Sequence, residues 1–124
     1  MLLSKESSKV NLIGAWRVGA VRVGDDWISG HAIISPNAII REWAVNTPEA
    51  LTLAGLDAAL ALEPEILLIG TGRTLVMPHA DLAGPLAARG IGVELMDTPA
   101  ACRTYNVLAH EWRRVVLALF SPAD

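Results

Sequence analysis

Ile66-Leu67-Leu68-Ile69-Gly70-Thr71-Gly72, followed by Gly92-Val93-Glu94-Leu95-Met96-Asp97-Thr98-Pro99, decides the fold. The first apolar run breaks at a glycine turn, and the second opens directly into a helix start. Two strands that each deliver a carboxyl end to a turn, with a short helix between them, make a βαβ unit. Ligands of open α/β sheets sit outside such carboxyl ends. The stretch therefore says where a site would lie, not what chemistry it would carry.

The pattern on either side of this unit completes the expected architecture. Both runs, Ile66–Ile69 and Val93–Leu95, read as central parallel strands covered on both faces. Pro78 to Arg89 reads as the intervening helix, closed by Gly90 and weakened by Pro85, which removes a backbone donor. Thr98 is the natural N-cap of the last helix, with Pro99 at its first position and Asp97 at the positive end of its dipole. Ala101, Thr104, Tyr105, Leu108 and Trp112 fall on its core stripe. Arg113–Phe120 suits either a continued helix or a closing strand by periodicity, and ordinary helix lengths favour the strand.

Upstream, Val18–Val23 and Trp27–Ile34 flank the hairpin-length loop Gly24-Asp25-Asp26. Ile28, Gly30, Ala32 and Ile34 share the face expected in the core, opposite Trp27, Ser29, His31 and Ile33. Ser35-Pro36-Asn37 turns the chain into Ala38–Ala44. Leu53, Leu56 and Leu60 then recur at helical spacing after Thr47-Pro48 or Thr52, until Pro64 stops them. The expected fold class is α/β: one three-layer domain over residues 10–121, after a flexible segment 1–9. It combines a mixed sheet and central βαβ unit with an N-terminal antiparallel hairpin and a C-terminal antiparallel strand.

Composition narrows the function classes. The 124 residues are 52% hydrophobic, above the usual 45–50% or so, yet the densest runs, Ile66–Ile69 and Val115–Phe120, are strand-sized. A membrane span needs roughly 20 such residues, so an integral membrane protein is not expected, while the apolar excess leaves surface for a partner. The formal net charge is −3, and neither Arg113-Arg114 nor Arg17/Arg22 makes the basic stripe of a nucleic-acid binder. Met1–Glu6 lacks the apolar core of a signal peptide. A lone cysteine, Cys102, fits a reducing compartment, and the expected location is the cytoplasm.

Candidate chemistry is sparse. Gly70-Thr71-Gly72 with Glu94 downstream invites a dinucleotide reading, but the third glycine position holds Leu75 and no helix opens at the glycines. A tight turn, or a nest of backbone N–H groups beside Arg73, fits better. Cys102 lies near a helix start, where thiols gain reactivity, but without a base nearby core packing is the plainer reading. The three histidines have no metal spacing, and neither metal nor other cofactor is expected. Trp43 alternates in step with Arg41, and Trp27 with His31, which makes Trp27, Arg41 and Trp43 interface candidates. The candidate ligand site gathers Gly70, Thr71, Gly72, Arg73, Asp97, Thr98, Arg103 and Asn106. Each also has a purely structural reading: turn geometry, helix capping, a surface ion pair or a backbone hydrogen bond.

Ile66–Gly72, Gly90-Ile91-Gly92-Val93-Glu94, Met96-Asp97-Thr98 and Ala101-Cys102-Arg103-Thr104-Tyr105-Asn106-Val107-Leu108 together carry a family likeness. With Trp43 also in register, the chain from Gly14 to Phe120 resembles the uncharacterised domain family that includes mitochondrial complex I assembly factors. Arg103–Leu108 after Asp97-Thr98 is the most specific piece. The resemblance implies a three-layer α/β fold with a mixed sheet whose last strand runs antiparallel to its neighbours. It also implies, for the mitochondrial members, accessory work in assembling respiratory complex I with a partner protein. Trp112 departs from the pattern, which commonly has glycine there. The resulting reading is a non-enzymatic accessory or binding protein of the bacterial cytoplasm, acting in assembly or maturation of a membrane complex through a protein partner or as a homo-oligomer. The alternative is a small-molecule or anion-binding protein, or a weak enzyme, with its site at the carboxyl ends of the central strands.

Overall fold

The computed structural model describes residues 9–123; most of the segment expected to be flexible, residues 1–8, lies outside them. The chain runs through β1 (Ile13–Arg17), β2 (Ala20–Val23), β3 (Asp26–Ser29), β4 (Ala32–Ser35) and β5 (Ala38–Ile40). It continues through α1 (Asp57–Leu60), β6 (Ile66–Thr71), α2 (Ala83–Ala87), β7 (Gly92–Met96), α3 (Thr98–His110) and β8 (Val115–Phe120). Strands β1-β2-β3 form a small antiparallel sheet, and β5-β4-β8-β6-β7 a larger mixed one. The expected hairpin is β2–β3, with Val21 opposite Ile28. The stretch Trp27–Ile34 is not one strand, however: it breaks at Gly30-His31 and passes from the small sheet to the large one.

The large sheet is the middle of three layers. On one face Leu68, Ile34, Val115, Leu117 and Leu119 pack against Ala101, Cys102 and Tyr105 of α3 and against Val21 and Ile28 of the small sheet. On the other face Leu67, Ile69, Val116 and Phe120 meet Leu56, Leu86, Ile91 and Trp43. Strand β8 is apolar throughout and wholly buried, because both its faces are covered. Asn106 ties α3 to the small sheet: its amide donates to the Ile13 carbonyl and its oxygen accepts from the Ile13 N–H, both at 2.8 Å.

The βαβ unit is β6–α2–β7, parallel, with Leu68 opposite Glu94. Strand β6 is central as expected, but β7 is the edge of the sheet and only partly covered. The neighbour on the inner side of β6 is β8, which is parallel to β6 and antiparallel to β4. The closing strand is thus antiparallel to one neighbour, not both. Between residues 47 and 63 the leucine spacing yields short 3-10 turns and the four-residue α1 rather than one helix. The intervening helix is likewise shorter than Pro78–Arg89, with Pro85 inside its first turn, where no intrahelical donor is required.

Candidate functional site

At the carboxyl end of β6 the chain must pass very close to α3. A Cβ on Gly70 would lie 2.9 Å from the Thr98 hydroxyl and 3.1 Å from its Cα, so only glycine lets the helix seat here. Thr98, fully buried, fills the junction. Its hydroxyl accepts from the Gly72 N–H at 2.8 Å and donates to the Phe120 carbonyl at 2.7 Å. Its own N–H donates to the Gly72 carbonyl at 2.7 Å. One residue thus joins the ends of β6 and β8 to the start of α3.

The N-cap is Asp97 rather than Thr98: its carboxylate accepts from the Ala100 N–H at 2.8 Å, and Thr98 and Pro99 are the first helical residues. The Thr71 hydroxyl donates to the Thr74 carbonyl at 2.7 Å and accepts from the Val76 N–H at 3.0 Å, folding the following loop back on itself. The structure therefore brings Gly70, Thr71, Gly72, Asp97 and Thr98 to one edge of the sheet. The Gly72 N–H and the Thr71 and Thr98 hydroxyls there are hydrogen-bonded within the junction. Arg73 and Arg103 are exposed, whereas Asn106 lies nine residues along α3, about 13 Å away along the axis, and binds Ile13.

The interface candidates separate. Trp43 is 6% exposed and belongs to the core: its indole N–H donates to the Gly55 carbonyl at 2.9 Å and its ring lies 5.1 Å from that of Phe120. The expected alternation of Ala38–Ala44 fails because β5 ends at Ile40 and Glu42 takes a left-handed backbone (φ 56°), which turns Trp43 inward. Trp27 is half-buried with the Arg17 guanidinium 4.1 Å above its ring, and Arg41 is exposed, 3.9 Å from Asp26.

Cys102 and Tyr105 are buried. Desolvation pushes the Cys102 thiol up to about 12, so it is a packed thiol rather than a thiolate. Burial also raises the Tyr105 phenol, whose hydroxyl donates to the Asn11 carbonyl at 2.7 Å. Among the described residues no three His, Cys, Asp or Glu side chains cluster as a metal site, and no helix is long and apolar enough to cross a membrane.

Sequence reasoning missed the opposite end of the sheet. A cavity of about 460 Å³ opens there beside the start of β8 and the turn Ser35-Pro36-Asn37 that joins β4 to β5, walled by Trp112. The signal was in the sequence: a tryptophan follows the acidic Glu111 where a helix ends and glycine is favoured.

The family model described as "Protein of unknown function (DUF498/DUF598)" matches residues 13–120. The chain belongs to that family. Among its relatives is the "NADH dehydrogenase [ubiquinone] 1 alpha subcomplex assembly factor 3" of Danio rerio, 32% identical over 123 residues. That alignment covers 98% of this chain and 70% of the relative; mammalian proteins of the same name are spanned over 66% of their length. The fold matches the crystal structure of a Bordetella parapertussis protein with a TM-score of 0.84 at 39% identity, covering 93% of this chain and 98% of that one. A Bordetella pertussis protein described as a Mth938-like domain matches at 0.78 and 33% identity, over 92% and 87% of the two chains. The family suggested by Arg103–Leu108 and its neighbouring motifs is thus the one to which the chain belongs.

Proposed function

We propose that this chain is a non-enzymatic accessory protein of the bacterial cytoplasm that binds a protein partner while a membrane-bound respiratory complex is assembled. The similarity along 98% of the chain to a protein named as an assembly factor of NADH dehydrogenase carries this reading. Its polar side chains support it. Thr98, Asn106 and Tyr105 tie elements of the fold together, and Cys102 is a packed thiol, so each of these groups has a structural role. Trp27 and Arg41 offer a half-buried aromatic and an exposed cation of the kind enriched at interfaces.

Affinity capture with the tagged full chain, from membrane and soluble fractions of the source organism, tests the proposal. The expected result is enrichment of subunits of one respiratory complex in near-stoichiometric amount. Capture that enriches no such subunit from either fraction would overturn it.

A further inference from the structure

The helix α3 ends in a Schellman turn: the Trp112 N–H donates to the Ala109 carbonyl at 3.1 Å and the Arg113 N–H to the Leu108 carbonyl at 3.0 Å. This closure puts its pivot residue in the left-handed region, where glycine is favoured, as Gly90 is after α2. Here the pivot is Trp112, at φ 65°, with 82% of its surface exposed. A large apolar side chain held in a strained conformation, with little burial to compensate, points to a use for the ring outside the core.

The ring borders the 460 Å³ cavity, a volume within the roughly 300–1,000 Å³ of small-molecule sites. Val10, Ala109 and Val116 contribute apolar lining, Lys9, Arg113 and Arg114 contribute three cations, and no carboxylate lines the cavity among the described residues. That is a local excess of positive charge on a chain of net charge −3. Arg113 is anchored by Glu65 at 3.1 Å. The Nε of Arg114 donates to the Glu63 carbonyl at 3.3 Å, while its guanidinium meets no carboxylate among the described residues.

We propose that this cavity binds a small organic anion with an apolar or aromatic body, its charge held by Arg114, Arg113 and Lys9 and its body packed against the Trp112 indole. Charge-assisted hydrogen bonds from a planar guanidinium suit a carboxylate or sulfonate, and an indole face suits an aromatic body. The site is independent of the partner reading, and so is its test.

The 15N-labelled full chain is titrated with 8-anilinonaphthalene-1-sulfonate and with its uncharged counterpart N-phenyl-1-naphthylamine, followed by two-dimensional amide NMR. The anion should shift the Trp112 indole N–H and the amides of Val10 and residues 113–116 saturably, binding about tenfold more tightly than the neutral probe. Replacing Arg113→Gln and Arg114→Gln together should abolish that preference. Trp112→Gly should weaken binding while raising the melting temperature, which separates loss of the site from loss of the fold. Equal affinities for the two probes, shifts confined to other surfaces, or undiminished binding by the double variant would overturn the proposal.

Discussion

Thr98 holds three chain segments with one hydroxyl and one amide, and none of its partners is replaceable by water in a fully buried position. Thr98→Val keeps the shape and removes both hydroxyl bonds. Leaving the Gly72 N–H and the Phe120 carbonyl unpaired should cost about 2–4 kcal/mol, measured by urea unfolding; a loss under about 1 kcal/mol would mean the junction is held by packing alone. The sequence showed Thr98 at a helix start but could not show this role, because its partners lie 26 and 22 residues away. His31 makes a second residue-scale prediction. Its Nδ1 accepts from the Ser121 N–H at 2.9 Å, and burial lowers its affinity for a proton below the ordinary value of 6.5. The unfolded chain then binds a proton more readily than the folded one, so stability is full above pH 6.5 and is lost as pH falls below it. Between pH 7 and 5 the melting temperature should fall more for the parent chain than for His31→Gln, whose amide oxygen can accept the same bond without titrating.

Strand β6 and strand β7 look alike as sequence, yet one is central and the other an edge. Local pattern identifies both as strands and pairs them in parallel, but it cannot say that β8 will return to the far side of β6. That placement depends on contacts between residues some 49 positions apart, such as Ile66 opposite Val115. The predicted consequence is a difference in mutational cost. Leu68→Ala, fully buried on the sheet face that α3 covers, should lose about 2–5 kcal/mol, and Val93→Ala on the half-covered edge about 1 kcal/mol or less. Equal losses would place β7 inside the sheet. Strand β8 was legible only in part: its six consecutive apolar residues suit a helix or a strand by periodicity, and ordinary helix lengths favoured the strand. The region from 47 to 63 was not legible. Its leucines are spaced for a helix, but Leu51 and Leu56 reach the core through separate 3-10 turns, which a helical wheel cannot distinguish from one face. Trp43 was misplaced for a related reason: period-two alternation assumes a continuous strand, and Glu42 interrupts it.

Across the whole molecule, one buried sheet carries an apolar core on each face, and the two ends of that sheet differ in character. The carboxyl end, where the alternative reading places a ligand site, is tied together by Thr98 and its partners. The opposite end, at the start of β8 and the β4–β5 turn, is open, cationic and walled by Trp112. The first was legible as a location because βαβ topology fixes strand direction; the second combines residues from both chain ends and the centre, which only the folded chain assembles. The proposed role in assembling a respiratory membrane complex can be checked by native-gel electrophoresis of membranes from a strain lacking this chain. Less full-size complex and an accumulation of smaller subassemblies are expected, both reversed when the wild-type chain is restored. Full-size complex at the parental level, with no subassemblies, would contradict it.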